Sequence, residues 1–330
     1  MTITPAQLES RRRGLGGSDA LCYGTGADPR KSRFQLWQEK TAEPLPEQPQ
    51  NAPTQGLTGS RIGESVTFHQ NANRMDWGTR LEPVLVDWLA GELGRPIDTP
   101  NEHNPMEFWR EDDHFERPFM VGHLDGLTAS PMEIVEAKAV DKFQAQEYGD
   151  AGTDQVPVRH VLQCHHYMLC TGIKLAHLVA LIGGNDARHY VIPFDAEIGD
   201  MLLERARIFW QYVVDKRPPP PSTLDDVTAR WPASVERAIK ADSQAMTQLL
   251  ELTHQRQLEA DAKAAGDKAE VLVKKYMGDA ALLTDTAGRG LATWRSEKQS
   301  RFDSKRFTVE HPTMAQEYRK EITFRTFRLK

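Results

Sequence analysis

The stretch "MVGHLDGLTASPMEIVEAKAV", Met120–Val140, holds three groups that could work together on a phosphate. Glu136 and Lys138 stand two residues apart in a strand-like run, so both side chains project from one face and Ala137 turns away. Asp125 ends the preceding run. "TASP" between the two runs reads as a hairpin-type connection, which brings Asp125 beside Glu136. Two carboxylates offer oxygen ligands to a hard divalent cation, and a neighbouring ammonium group can orient an attacking water or help to deprotonate it. That is the equipment for hydrolysing a phosphodiester. On spacing alone, D-x10-E-x-K is more often a turn-forming acid followed by a solvent-exposed pair, so further residues must decide.

Several add weight. Glu82 follows Leu81 in an amphipathic run and precedes Pro83; taken alone it is an ordinary surface glutamate. "GLGGSDA" places Gly-rich backbone before Ser18 at a helix start, offering N–H groups and a hydroxyl to a phosphate. Arg11, Arg12 and Arg13 precede it, and arginine grips phosphate bidentately. Gln163 falls in the helix after the Glu/Lys strand, where its amide could fix a phosphate or a water.

The elements that must position these groups follow from periodicity. The first 43 residues read as a short helix, the Gly-rich turn and a second short helix. "EPLPEQPQNAPTQGLTGS" has no periodicity and reads as a loop. Leu81, Val84, Leu85, Trp88 and Leu89 form the apolar stripe of a helix closed by Gly94. Strands are expected near "EFWRE", at "FMVGHLDGLT" and at "MEIVEAKAV"; then come a helix closed by Gly172, a strand pair joined at "GGND", and a helix stopped by "RPPPPS". Residues 1–221 should form one domain. Residues 222–330 should form a helical arm, nearly continuous over 233–277 with a kink at Gly266, and a small basic module.

Composition bounds the rest. The 330 residues include 39% hydrophobic and 27% charged residues, as expected of a globular chain. No run approaches the roughly 20 apolar residues of a membrane span, and the N-terminus lacks a signal-like apolar core, so a cytoplasmic location in a bacterial host is expected. The net charge is −6, yet residues 289–330 carry 11 Lys/Arg against 5 Asp/Glu. A basic tail on an acidic body suits a polyanion partner only weakly. Cys164, His165, His166 and Cys170 invite a zinc reading, but the two cysteines do not share a helix face and there is no CxxC. Three cysteines are too few for the usual iron–sulfur set. No Walker A pattern occurs, so no ATP use is expected.

The blocks "RRRGLGGSDA", "WGTRLEPV", "VGHLDGL", "IVEAKA" and "VLQCHHYMLCTG", in this order over about residues 8–221, resemble the YqaJ-like viral recombinases, relatives of phage lambda exonuclease in the PD-(D/E)xK nuclease superfamily. The resemblance implies an α/β fold, with a restriction-endonuclease-like core whose central mixed sheet is flanked by helices. It implies that Asp125, Glu136 and the main-chain carbonyl of Ala137 bind Mg2+, with Glu82 completing a second or shared site (two ions, Mn2+ as substitute). Lys138 would position the water and Gln163 hold the shape of the site. Arg11 and Ser18 would recognise a 5′-phosphate, Arg11 by spacing among the three arginines. The chain departs from the lambda pattern in having His123-Leu124, not Ser-Pro, before the aspartate. The implied activity is Mg2+-dependent, ATP-independent 5′→3′ digestion of double-stranded DNA ends, leaving 3′ overhangs for a single-strand annealing partner in a phage or prophage system. A homo-oligomeric ring, trimer before tetramer, would supply processivity. The alternatives are an endonuclease of the same superfamily and a non-catalytic DNA-binding protein.

Overall fold

The computed structural model describes residues 5–42, 62–101, 103–322 and 324–329, with side chains from Glu9 and, after the gap, from Asp76. The expected loop over residues 43–60 lies outside the described residues. The chain divides into two compact units, Met1–Arg230 and Trp231–Lys330.

The first unit begins with α1 (Pro5–Arg13), β1 (Leu15–Gly16), a 3-10 turn (Gly17–Asp19), α2 (Ala20–Thr25) and α3 (Arg33–Thr41). Then follow α4 (Ile62–Leu93), β2 (Ile97–Asp98), β3 (Glu107–Arg110), β4 (Met120–His123), β5 (Gly126–Thr128) and β6 (Ile134–Val140). A second 3-10 turn (Lys142–Glu147) leads to α5 (Val158–Thr171), β7 (Leu175–Ile182), β8 (Asp186–Pro193), α6 (Ala196–Val214) and α7 (Leu224–Arg230). The main sheet has the order β2-β5-β6-β7-β8 and is mixed: β6 and β7 are parallel, joined through α5, and the other pairs are antiparallel. A smaller sheet, β1-β4-β3, pairs β1 parallel to β4.

Alternation along β6 sorts its side chains between two layers. Ile134 joins Leu178, Ala180, Cys164 and Met168 in the core under α5. Val135 and Val179 face the other way, against Leu85, Val86 and Leu89 of α4. A third cluster joins Leu15, Met120 and Phe119 to Tyr23, Leu36, Leu202 and Phe209 of α2, α3 and α6. The result is an α/β architecture with helices on both faces of the main sheet.

Four expectations need correction. The stripe of α4 does not include Val84, which is 61% exposed; Val86 is buried instead, because the helix meets Val135 and Val179 through Leu85, Val86 and Leu89. "FMVGHLDGLT" is not one strand. β4 and β5 belong to different sheets, and the break falls at Leu124-Asp125: Leu124 N–H still bonds Met106 O in the β3 register, and from Gly126 the chain pairs with β6 instead. Residues 233–242 are not helical: α8 (Ser243–Met277) begins only after Asp242, whose side chain caps it by accepting from Ala245 N at 2.7 Å. Those ten residues are exposed, and a short helix with no face to bury is marginal in water. α8 then runs through Gly266 as a single helix without the expected break; no atom lies within 4 Å of where a Cβ would be, and a glycine in an exposed helix costs only about 1 kcal/mol.

α6 ends before Lys216, which has a positive φ of 50°, and the proline run follows. Beyond that run α7 still packs within the first unit, because Asp226, 1% exposed, accepts from Ser32 Oγ at 2.6 Å and from Ser222 N at 2.9 Å. The second unit adds, after α8, a small antiparallel pair of β9 (Leu282–Thr284) and β10 (Gly290–Thr293), then α9 (Ser304–Glu310) and α10 (Pro312–Glu317). Among the described residues, no helix is long and apolar enough to cross a membrane.

Candidate active site

A cleft of about 760 Å3 in the first unit is lined by Glu82, Asp125, Glu136, Ala137, Lys138 and Gln163, and also by Arg11 and Ser18. These eight residues therefore share one concavity, although they come from α1, the first 3-10 turn, α4, the β4–β5 break, β6 and α5.

The acids converge by register. Gly126 pairs with Val135, so Asp125, one step before, falls opposite Glu136. The Asp125 carboxylate is held there by the N–H of Ala137, which donates to Oδ2 at 2.9 Å. Glu82 comes from α4 and faces the Asp125 carboxylate; burial first and the Asp125 charge second push Glu82 above the ordinary carboxylate range.

Glu136 is 1% exposed, and burial, followed by the Asp125 charge, raises it too. Its Oε1 receives the Lys138 ammonium and the Gln163 amide, the latter at 2.6 Å. Its Oε2 is buried with no hydrogen-bond partner among the described residues. Burial works against the charge on Lys138, but Glu136 and Asp125 outweigh it and hold the ammonium above its ordinary range. Lys138 is thus a cation at neutral pH, suited to orienting a water and not to taking its proton.

The donor set fits a hard divalent cation: three carboxyl groups, a main-chain carbonyl and an orphaned carboxylate oxygen. Among the described residues no three acidic, His or Cys side chains already stand as a ligand cage. As it is, Lys138 neutralises Glu136 directly, and a bound cation would have to share that oxygen.

The Gly-rich turn is held by residues that sequence reasoning missed. Asp19 is buried and accepts from Gly16 N at 3.1 Å and Lys40 Nζ at 2.8 Å. Lys40 also donates to the carbonyl of Arg11 at 2.5 Å, so one ammonium ties α3 to both Arg11 and the turn before Ser18. The aspartate of "GGSD" was a visible signal; nothing local marks Lys40. Arg13 pairs with Glu9 at 3.0 Å, whereas Arg11 lines the cleft. His123 also lines it, with Nε2 2.9 Å from Ser10 Oγ and 3.0 Å from Glu107 Oε2.

The residues of the zinc reading are structural. His166 lies between Tyr23 OH at 2.8 Å and Val121 O at 3.0 Å, and His165 accepts from Asp195 N at 3.0 Å.

Comparison with known proteins identifies the family. The model of the YqaJ-like viral recombinase domain matches residues 7–174, half of the chain, and that span contains every residue of the cleft named above. The uncharacterized protein YqaJ of Bacillus subtilis (strain 168) is 25% identical over 337 residues, covering 98% of this chain and 93% of its own. Among solved structures, the alkaline exonuclease LHK-Exo of Laribacter hongkongensis superposes with a TM-score of 0.44 at 14% identity, over 65% of this chain and 94% of its own. A phage related exonuclease from Haemophilus somnus 129PT gives 0.36 at 12%, over 62% and 96%. Superpositions this distant carry no argument of their own, and the assignment rests on the family model: the chain belongs to the YqaJ-like viral recombinase domain family.

Proposed function

We propose that the protein is a Mg2+-dependent, ATP-independent 5′→3′ exonuclease acting on the ends of double-stranded DNA. The observation that carries the reading is the meeting of Glu82, Asp125, Glu136 and Lys138 in the same cleft as Arg11 and Ser18. The acids and the lysine suit hydrolysis; the arginine and the serine suit a terminal phosphate.

A divalent cation held by Asp125, Glu136, the carbonyl of Ala137 and Glu82 would neutralise charge on the scissile phosphate and acidify a water. Lys138 Nζ donates to that water and holds it in line with the phosphorus. Gln163 keeps Glu136 Oε1 turned toward Lys138. Arg11 grips the 5′-phosphate bidentately while the Ser18 hydroxyl donates to it. Digestion of one strand leaves a 3′ overhang, a substrate for a single-strand annealing protein. A ring of subunits, trimer before tetramer, would give processivity by topology, so that only the channel need be positive despite a net charge of −6.

The test is incubation with linear duplex DNA carrying either 5′-phosphate or 5′-hydroxyl ends, with Mg2+, with Mn2+ and with EDTA. Metal-dependent release of mononucleotides, faster from phosphorylated ends, is the expected result. No release under any divalent ion refutes the reading. Cutting of a covalently closed circle would instead favour an endonuclease.

A further inference from the structure

Beyond residue 288, every Phe, Tyr and Trp stands next to an arginine: Trp294-Arg295, Arg301-Phe302, Arg306-Phe307, Tyr318-Arg319, Phe324-Arg325 and Phe327-Arg328. All six pairs lie in the second unit, outside the residues 7–174 that the family model matches.

The rings are not a core. Among the described residues of the second unit only Met277 is buried, and Trp294, Phe302, Tyr318, Phe324 and Phe327 are 46–84% exposed. Nor are the arginines used up. Among the described residues, Arg306 alone of the six forms an ion pair, with Glu310 across one turn of α9. Arg301 and Arg325 donate to neutral groups, the Gln299 amide and the Trp231 carbonyl. The rings are nevertheless anchored. Lys274 Nζ of α8 lies 5.3 Å from the centre of the Trp294 ring, and Arg256 Cζ of α8 lies 5.7 Å from that of Phe327. Those two anchors are 18 residues apart on one helix, about 27 Å at its rise per residue. The pairs are therefore spread along a track and not gathered in a pocket.

Charge narrows the occupant. Residues 289–330 carry 11 Lys/Arg against 5 Asp/Glu in a chain of net charge −6, which suits a polyanion. A duplex offers phosphates, but its bases are paired and stacked and leave the rings no face to meet. An acidic protein offers charge without a series of flat rings. A single strand offers both, phosphates for the arginines and unpaired bases for the aromatic side chains.

We infer, resting on the nuclease reading above, that the six aromatic–arginine pairs bind single-stranded DNA, the 3′ overhang left as its complement is digested. The rings stack on unpaired bases, and the neighbouring arginines pair with the phosphates between them.

The experiment uses the full chain in EDTA, so that no strand is cut, and reads affinity by fluorescence anisotropy. The probes are an oligothymidine strand of about 20 nucleotides, longer than one single-strand site, an abasic strand of equal charge, and a hairpin-capped duplex. Wild type should bind the thymidine strand more tightly than either of the others. Phe324→Ala combined with Phe327→Ala should lose about fivefold to a hundredfold for each base unstacked, with the salt dependence unchanged. Arg325→Ala combined with Arg328→Ala should instead flatten the log–log salt slope by about 1.4, at about 0.7 for each single-strand phosphate contact. Equal wild-type affinity for the thymidine and abasic strands overturns the inference, and that measurement needs no variant to fold. So does a phenylalanine double variant, folded by its thermal melt, that binds the single strand like wild type. Polyglutamate of matching charge that competes as well as the thymidine strand overturns it in favour of an acidic protein partner. Failure of the wild type to release nucleotides under any divalent ion sinks the nuclease reading, whereas a cutting wild type indifferent to the bases sinks only this site.

Discussion

The ring of Tyr167 lies so close to Gly17 that a Cβ on that glycine would stand 2.4 Å from Tyr167 Cε1. The same tyrosine accepts from Gln163 Nε2 at 2.8 Å, and Gln163 donates to Glu136 at 2.6 Å. The Gly-Gly-Ser turn and the acidic centre are therefore linked through one aromatic ring. Gly17→Ala should push Tyr167 away, cost about 1–3 kcal/mol of stability as an overpacked site, and disturb Gln163. Urea denaturation together with the cleavage rate checks this; an alanine variant of wild-type stability and rate would contradict it.

Lys138→Ala should lower single-turnover cleavage by on the order of 10²–10³-fold, the loss typical of one preorganised donor at a developing charge. Binding of duplex DNA should persist, since the basic groups at Arg11, Arg30 and Arg159 remain in the cleft. Parallel rate and anisotropy measurements separate the two effects.

Arg11→Ala should erase the preference for phosphorylated ends while leaving slow digestion of hydroxyl ends unchanged. The same substitution at Arg13, which is paired with Glu9 at 3.0 Å, should have little effect. Rates on the two end chemistries, compared across both variants, provide the check.

Stability in acid should depend on Asp19. Burial alone would raise this carboxyl, but Lys40 and then Lys31, with the hydrogen bonds from Lys40 and Gly16, hold it below its ordinary value of 3.8. A depressed folded-state value means the stabilisation is complete above the unfolded value and drains away as pH falls through the folded one. The urea midpoint of the wild type should therefore fall more steeply below about pH 4 than that of Asp19→Asn. Above that range the variant should be less stable by a constant margin.

What the sequence could reveal tracks the range of the interactions involved. Glu136 and Lys138 share a face because alternation in a strand is local, and Gly172 closes α5 because a φ of 78° favours glycine. Asp125 was readable as a partner of Glu136 through a short connection. The break between β4 and β5 was not, since "FMVGHLDGLT" alternates well enough for one strand and only pairing with β1 and β3 assigns its first half to another sheet. Val84 and Val86 are equivalent in composition, and only the position of Val135 and Val179 decides which is covered. Lys40 lies 21 residues from Asp19, and no pattern announces a contact at that separation. The helical composition of residues 233–242 was misleading because propensity without burial does not hold a short helix.

Asp125 belongs to neither sheet. It hangs in the join between β4 and β5, and its carboxylate accepts from an amide of β6. Its aim thus depends on both sheets being intact at once. On the nuclease reading proposed above, a copy that frays on either side should keep all of its acids yet lose their common focus, and so fall silent before it could become a stray cutter of nucleic acid.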